Sequence, residues 1–357
     1  MTYSNSCIII FSLISLIFFI ILTFDTTSHL SKNKINKKYN VSKDVPHYFS
    51  NGKINVENFN YSGICHEVFK YKPHNKKDLW LSAVGFKDIN YWRKIRADTI
   101  LSMGLAKSSI PHADKVVLLL EGLEIPEFFK ISDANGFKVV KMKITTNVTG
   151  QDATRRFIAF EEFMRENRHK YERVLVSDQR DVFIFADFFS TFSEEQINFV
   201  AECNYDQINC IDFTERGNFN VMNYTYGKRV SEEFRSNKSL LVNVGTVFGG
   251  SEKVYQYLKL YKDNIDTTKW KKWFYDQILH NHIYYSYYYN RPETNSTLER
   301  CTQRFCFRER GTATYDVSKK KLFTSVTGCS PVLRHKYLAK GFSIDNDGYS
   351  TKIKDVK

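Results

Sequence analysis

Apolar residues between positions 78 and 178 fall alternately into short continuous runs and into stripes with helical spacing. The runs are typical of strands buried on both faces of a sheet, and the stripes are typical of helices that pack one face on that sheet. Strands are predicted at 79–84, 115–120, 137–144 and 174–176, and helices at 91–108, 126–135 and 152–168. The pattern therefore predicts an α/β fold in which strand and helix repeat three times before a fourth strand.

The fourth predicted strand ends in a charged segment, Ser-Asp-Gln-Arg-Asp at residues 177–181. In open α/β sheets, ligands bind outside the carboxyl ends of the strands. Asp178 and Asp181 would repel each other there unless a cation lay between them, and a divalent ion completed by phosphate oxygens suits two carboxylates. Arg180 can pair with a carboxylate or with a phosphate. A surface turn with a local Asp–Arg ion pair explains the same residues without a ligand, so this segment alone leaves both interpretations open.

Two later segments carry side chains suited to binding a sugar. Residues 243–250 read Asn-Val-Gly-Thr-Val-Phe-Gly-Gly. The amide of Asn243 can orient a sugar hydroxyl, and glycines let a backbone approach a ligand closely. A core strand that ends in a tight turn is the alternative for this segment. Asp276 and Gln277 follow Trp273 in a tyrosine-rich stretch, whose aromatic residues suit either an acceptor-sugar surface or a core.

The order of these segments resembles the GT-A-fold glycosyltransferases, over roughly residues 78–337. Those enzymes hold a divalent ion against a nucleotide-sugar diphosphate with an Asp-x-Asp motif, followed by an Asn-x-Gly…Gly strand and an Asp-Gln pair. The resemblance implies a GT-A mixed α/β sheet flanked by helices, in a catalytic domain at residues 77–340. This chain departs from the motif, because Arg180 stands at the usual second acid and Asp181 follows it. It has no Gly-x-Gly-x-x-Gly and no Walker loop, which argues against dinucleotide oxidoreductases and P-loop enzymes.

The resemblance also implies which ligands the site binds and which residues bind them. It implies Mn²⁺ or Mg²⁺, a UDP- or GDP-sugar donor, and a glycan, glycoprotein or glycolipid acceptor. The implied metal ligands are Asp178, Asp181 and His335, although a lone surface histidine is the alternative for the last. The donor-binding residues that it implies are Asp178, Arg180, Asp181, Gly245, Gly249 and Gly250, and the catalytic ones are Asn243, Asp276 and Gln277.

The resemblance favours retention of the anomeric configuration. Inversion needs a carboxylate base placed to deprotonate the acceptor hydroxyl. Sequence alone does not single out such a base. The acids considered for that role are Glu215, Asp263, Asp266 and Asp276.

The spacing of the two central acids predicts a turn. In an extended strand alternate residues share a face, so Asp178 and Arg180 would lie together and Asp181 would not. Both acids can reach one ion only if the chain turns after Ser177. We therefore expect a turn at residues 178–181, with Asp181 as the direct metal ligand and Arg180 held by a nearby carboxylate.

The amino-terminal region contains a long uncharged segment. Residues 7–24 carry no charge, and a span of about 20 residues crosses a bilayer. We predict a signal-anchor there, after a cytosolic tail at residues 1–6. Residues 25–76 are rich in Asn, Lys and Ser and are predicted as a stem, and 341–357 as a carboxyl-terminal tail. A cleaved signal peptide is the alternative, because small residues follow at 26–28.

Glycosylation sequons and cysteines favour a lumenal catalytic domain. Lysines at residues 32–38 favour the opposite orientation, but long domains translocate largely regardless of flanking charge. We expect a single-pass type II protein of the Golgi or ER membrane, or a secreted protein if the segment is cleaved. Sequons follow the apolar segment at Asn40, Asn60, Asn147, Asn223, Asn237 and Asn295.

Six cysteines also follow the apolar segment. In an oxidising lumen they favour disulfides over a zinc site. Cys203 and Cys210 are close enough in sequence to pair, and so are Cys301 and Cys306. Cys65 would then tie the far end of the stem to the globular part, although six cysteines allow fifteen pairings.

The composition of the chain limits the classes of molecule that it is expected to bind. The 357 residues carry a net charge of +13, which suits nucleotide diphosphates or membrane surfaces. The lysines are scattered rather than clustered in a motif, which argues against nucleic acid. A non-catalytic glycan-binding protein that retains the fold is the alternative function.

Overall fold

The computed structural model describes residues 55–143, 152–203, 210–307, 313–316, 318–324, 327–336, 342–344 and 351–353. The predicted signal-anchor at 7–24 and most of the predicted stem lie outside these residues. Within the described ranges, none of the helices combines the length and the apolar character that a membrane span needs.

The described chain alternates strands and helices. The strands are β1 (Asp78–Val84), β2 (Asp114–Leu119), β3 (Lys138–Lys141), β4 (Arg173–Asp178), β5 (Val182–Ile184), β6 (Ile197–Val200), β7 (Thr246–Gly250), β8 (Ser296–Glu299), β9 (Phe305–Phe307), β10 (Ala313–Asp316), β11 (Lys321–Thr324), β12 (Leu333–His335), β13 (Phe342–Ile344) and β14 (Thr351–Ile353). The α-helices are α1 (Ile89–Ser109), α2 (Pro126–Ala134), α3 (Asp152–Asn167), α4 (Arg216–Tyr226), α5 (Lys228–Ser236), α6 (Ser251–Asp263) and α7 (Tyr275–Tyr287).

Seven strands form a central mixed sheet in the order β3-β2-β1-β4-β7-β6-β8. The strands β3, β2, β1 and β4 are mutually parallel, and β7 runs antiparallel to both β4 and β6. The predicted order of strand and helix up to β4 is confirmed. The resulting α/β architecture fits the arrangement that the resemblance implies.

Both faces of the sheet are covered, which explains the continuous apolar runs of its strands. Leu79 and Leu81 of β1 pack in one core cluster with Phe157 of α3. Trp80, between them, points to the opposite face and packs in a second cluster with Trp92 of α1. A strand buried on both faces needs apolar residues at successive positions rather than at alternate ones.

Disulfides link one pair of neighbouring cysteines and one pair that is far apart in the sequence. Cys203 pairs with Cys210 as predicted, and Cys65 pairs with Cys329 across 264 residues. Cys301 is also disulfide-bonded, and its partner lies outside the described side chains. The bond from Cys65 to Cys329 fastens the end of the predicted stem region to the globular part.

A small sheet beside the central one positions the end of the chain. It has the order β5-β12-β9, and β12 runs antiparallel to β5, with His335 opposite Val182. The backbone N–H of Lys336 donates to the carbonyl of Asp181 at 2.8 Å. This pairing brings a residue late in the sequence next to the turn that follows β4.

Candidate active site

A cleft of about 550 Å³ opens at the carboxyl ends of β1 and β4. Its lining includes most of the residues that the sequence singled out. These are Asp178, Arg180, Asn243, Gly245, Asp276 and Gln277. Of the four acids considered as a base, Asp276 is the one among the cleft-lining residues.

Asp178, Asp181 and His335 converge on one point beside the cleft. The Nε2 atom of His335 lies 3.3 Å from Oδ2 of Asp178 and 3.5 Å from Oδ1 of Asp181. The chain bends between β4 and β5 as predicted, and that bend turns Asp181 toward Asp178. His335 is fully buried, so the alternative of a lone surface histidine is wrong.

The electrostatics of the cluster favour a bound cation. Burial lowers the pKa of the His335 imidazole, although the neighbouring Asp181 opposes that shift. Burial raises the pKa of the Asp181 carboxyl, but His335, Arg180 and Lys336 lower it by more, so the net shift is downward. At neutral pH the cluster thus presents a neutral imidazole and an ionised, buried carboxylate.

The donor set fits a divalent metal ion. Two ligand atoms at right angles, each about 2.1 Å from an ion, lie roughly 3 Å apart, close to the separations in this cluster. Oδ1 of Asp181 is buried and accepts no hydrogen bond within the described part of the chain. A proton on Nε2 can satisfy one carboxylate oxygen, whereas a metal ion can bind all three groups. Carboxylates with one imidazole suit Mn²⁺ or Mg²⁺.

Gly245 leaves the space in which this cluster forms. A Cβ at this position would lie 2.6 Å from Cε1 of His335 and 2.8 Å from Oδ2 of Asp178. The carbonyl of Gly245 also accepts a hydrogen bond from the backbone N–H of Asp178 at 2.9 Å. Two cluster side chains therefore approach the backbone more closely than any residue other than glycine permits.

Thr246 orients the imidazole from the other side. Its Oγ1 lies 3.2 Å from Nδ1 of His335, and both residues are fully buried. When Nδ1 carries the proton and donates to Thr246, Nε2 keeps its lone pair toward Asp178 and Asp181. Such an outer hydrogen bond fixes the tautomer that a histidine needs as a metal ligand.

Arg156 of α3 links the cluster to Asp276. One of its Nη atoms contacts Oδ1 of Asp178, and the other lies 3.5 Å from Oδ2 of Asp276. Arg156 thereby holds one oxygen of Asp178 and leaves the other facing the cluster. Burial raises the pKa of Asp276, and the charge of Arg156 opposes this shift.

Asn243 and Gln277 hold different positions in the lining. Oδ1 of Asn243 is buried and has no hydrogen-bond donor among the described residues, while its Nδ2 donates to Glu202 at 3.1 Å. Oε1 of Gln277 accepts from the N–H of Val244 at 3.0 Å, and Nε2 donates to the carbonyl of Val242. Asn243 thus has a buried amide oxygen without a hydrogen-bond donor among the described residues, whereas Gln277 braces the segment before β7 that bears Asn243.

The structure does not bring Gly249 and Gly250 to the cleft. They end β7 opposite Val174 and Arg173, at the far end of β4 from Asp178. A Cβ on either would collide with backbone between residues 194 and 197, so their lack of side chains serves strand packing. Arg180 is partly exposed, and its Nη2 atom lies 3.8 Å from Oδ2 of Asp181.

Sequence reasoning missed three residues around the cluster. Arg156 carried a signal, because it shares a helical stripe with Phe160 and Phe163, where an apolar residue would be expected. No sequence signal pointed to Thr246, because its role depends on a contact with a histidine 89 positions away. No sequence signal pointed to Asp98 of α1 either. Burial, together with the charge of Asp181, raises the pKa of its carboxyl to about 6.

Comparisons with known proteins returned matches among solved structures alone. No protein-family model and no curated protein matches the sequence. The structural matches include a glycosyltransferase involved in glycosylation of the major capsid of PBCV-1, at 10% identity and a TM-score of 0.35, covering 72% of this chain and 92% of that one.

Two further structural matches have similar scores. An active-site mutant of LgtC shows 10% identity and a TM-score of 0.38, over 74% of this chain and 89% of that one. Core-mannan synthase A from Aspergillus fumigatus in its Mn/GDP form shows 9% identity and a TM-score of 0.34, over 61% and 72%. Each TM-score is below 0.5, so the likeness does not establish a shared family.

Proposed function

We propose that the protein is a metal-dependent glycosyltransferase that moves a sugar from a UDP- or GDP-sugar to a glycan, glycoprotein or glycolipid. The observation that carries this proposal is the Asp178–Asp181–His335 cluster beside a cleft at the carboxyl ends of β1 and β4. A carboxylate and imidazole site at this edge of an α/β sheet suits a divalent ion completed by diphosphate oxygens.

Different residues of the cleft would bind different parts of the donor. Asp178, Asp181 and His335 would hold the ion, which when bound stabilises the negative charge of the diphosphate leaving group. Oδ1 of Asn243 would accept a hydrogen bond from a sugar hydroxyl, because no described residue donates to it. Arg156 contacts Asp178 of the metal cluster and lies 3.5 Å from Asp276, so this pair would lie beside the reacting sugar.

The size and electrostatics of the cleft agree with such a ligand. Small-molecule sites usually enclose about 300–1,000 Å³, and this cleft has about 550 Å³. Lys87 and Lys94 are also in its lining and add positive charge for an anionic donor. Retention of configuration, which the resemblance implies, is part of the proposal.

Donor turnover tests the proposal directly. Full-length protein in detergent is incubated with a panel of UDP- and GDP-sugars, and released nucleotide is measured with Mn²⁺, with Mg²⁺ and after chelation. We expect hydrolysis of at least one donor, loss of that activity on chelation and recovery with Mn²⁺. NMR of the first-formed anomer should show the configuration of the donor.

Absence of turnover for every donor, together with absence of Mn²⁺-dependent UDP or GDP binding, would exclude the enzyme. Binding of saccharides without donor turnover would instead favour the non-catalytic glycan-binding alternative. A first product with inverted configuration would make Asp276 the base to replace, since it is the cleft-lining acid among those considered.

A secretory-pathway location with a membrane anchor is part of the proposal. Stable disulfides are rare in the reducing cytosol, and the chain has them at Cys65–Cys329 and Cys203–Cys210. Among the sequons that the structure describes, Asn223 on α4, Asn237 after α5 and Asn295 before β8 are exposed. Their positions would accommodate attached glycans.

Endoglycosidase treatment of the protein from a eukaryotic host should therefore increase its gel mobility. Replacing both Asn223 and Asn237 by Gln should reduce that shift. A band that never shifts, together with protease digestion of the carboxyl terminus outside intact microsomes, would contradict the lumenal location.

A further inference from the structure

We infer that the acceptor is a saccharide of at least two rings that stacks on Trp273 and continues over Tyr224. This inference rests on the proposed function and names an acceptor subsite that begins at the edge of the cleft and continues outside it. We call Lys272, Trp273 and Tyr224 the aromatic rim. Two of its members, Lys272 and Trp273, line the cleft.

Trp273 is the most exposed large apolar side chain in the described structure. Its relative exposure is 72%, and its nearest aromatic neighbour is Phe274, with ring centroids 6.4 Å apart. An indole left in water at the edge of a cleft loses the free energy that burial would give it. Pyranose rings present apolar C–H faces to such a ring, while their hydroxyls remain in water.

Contacts of neighbouring residues fix the segments on either side of the rim before any ligand binds. Nζ of Lys269 donates to the carbonyl of Thr225 at 2.7 Å, at the carboxyl end of α4. The N–H of Asp266 donates to the hydroxyl of Tyr275 at 2.6 Å. Phe274, next to Trp273, has φ = +73°, a left-handed conformation that bulky residues rarely adopt. Strained backbone of this kind concentrates at ligand-binding sites.

Tyr224 extends the exposed surface away from the cleft. Its relative exposure is 53%, and Nζ of Lys272 lies 5.5 Å from the centre of its ring. Lys272 therefore lies between a cleft-lining tryptophan and an exposed tyrosine. One sugar ring stacked on Trp273 would direct the next toward Tyr224, with the ammonium of Lys272 able to donate to hydroxyls of both.

The position of Trp273 relative to the catalytic cleft assigns this subsite to the acceptor rather than to the nucleotide. Trp273 precedes α7, which carries Asp276 in its first turn. The end of β1 and the first turn of α1 also line the cleft, including Gly85 and Tyr91. We place the nucleoside against these elements and the transferred sugar beside Asp276, so that the acceptor on Trp273 would approach that sugar from the start of α7.

Iodide quenching of tryptophan fluorescence gives a direct test. The chain has four tryptophans, and the other three are at most 1% exposed, so iodide should quench mainly Trp273. The probes are glucose, mannose, galactose and N-acetylglucosamine, with the di- and trisaccharides of the maltose, cellobiose, α1,2-mannose and chitin series and lactose. Each is added to full-length protein with Mn²⁺ and UDP or GDP.

We expect at least one series to protect Trp273 from iodide, with the disaccharide protecting at lower concentration than its monosaccharide. Trp273→Ala should raise the acceptor KM about tenfold, which corresponds to roughly 55 Å² of lost apolar contact. Donor hydrolysis without acceptor should be unchanged in Tyr224→Ala, because Tyr224 is not among the cleft-lining residues. Tyr224→Ala should raise the KM of the longer saccharide and not that of the monosaccharide, while Tyr287→Ala, an exposed tyrosine near the far end of α7, should change neither.

Failure of every saccharide to protect Trp273 would overturn the inference, and so would a Trp273→Ala variant whose donor KM rises while its acceptor KM does not. Donor hydrolysis separates this failure from failure of the proposed function, because hydrolysis is measured in the wild type without any acceptor. Protection by a saccharide in a protein without donor turnover would support the rim as a saccharide site and contradict the enzyme.

Discussion

Asp181→Asn is expected to reduce metal-dependent donor turnover at least about 1,000-fold, because it removes a full negative charge at nearly constant shape. A metal ion that neutralises a leaving diphosphate contributes several kcal/mol to transition-state stabilisation, and about 4 kcal/mol corresponds to this factor. Asp181 lies 3.5 Å from His335 and is almost fully buried, so water cannot readily replace its carboxylate. Turnover is measured with Mn²⁺ across the donor panel.

Thermal unfolding separates this effect from misfolding. The wild type should gain thermal stability when Mn²⁺ and UDP or GDP are added, because ligands that bind the folded state stabilise it. Asp181→Asn should lose that gain, and its unliganded Tm should fall only modestly, because the side chain keeps its shape while it loses the attraction of Arg180 and Lys336. Asp263→Asn, an exposed acid that pairs with Lys259, is the matched control and should behave as wild type. Near-normal turnover and metal dependence in Asp181→Asn would refute the metal site.

Gly245→Ala is expected to weaken Mn²⁺ binding at least about 100-fold, although the added group is a single methyl. Its Cβ would lie 2.6 Å from the ring of His335 and 2.8 Å from the carboxylate of Asp178, so two of the three ligands must move. Displacing an outer partner of a ligand already costs about 10–100-fold in metal affinity. Electron paramagnetic resonance of free Mn²⁺, with UDP or GDP present, measures the affinity without requiring turnover.

The cost in folding stability should be moderate, since overpacking a buried position usually costs about 1–3 kcal/mol. Gly217→Ala is the matched control, because a Cβ there meets no atom within 4 Å. It lies in α4, where alanine is the better helix former, so its Tm should be equal or higher and its Mn²⁺ affinity unchanged. If Gly245→Ala bound Mn²⁺ as the wild type does, the cluster would not be the binding site.

Whether a feature of this protein can be predicted from its sequence depends on how far apart in the chain the residues that determine it lie. The runs and stripes of apolar residues were sufficient to predict β1 to β4 and the helices between them, because burial on both faces of a sheet requires that pattern locally. The turn after β4 also followed from sequence, since it was required for Asp178 and Asp181 to meet. The disulfide between Cys203 and Cys210 was suggested by a short separation.

What the sequence could not decide depends on contacts between distant segments. Gly245 and the pair Gly249 and Gly250 are close in sequence, yet antiparallel pairing of β7 with β4 places only the first beside Asp178. His335 reaches the cluster because β12 pairs with β5, a register that no local pattern encodes.

By itself, the sequence determined the α/β alternation and the chemical types at the end of β4, because both are written in neighbouring residues. Only the tertiary structure decided which partners surround those acids: Arg156 from a helix, Thr246 from an antiparallel strand, and His335 from a second sheet. The reason is physical. Burial and secondary structure depend on residues a few positions apart, whereas a binding site depends on which strands become neighbours when the whole core packs.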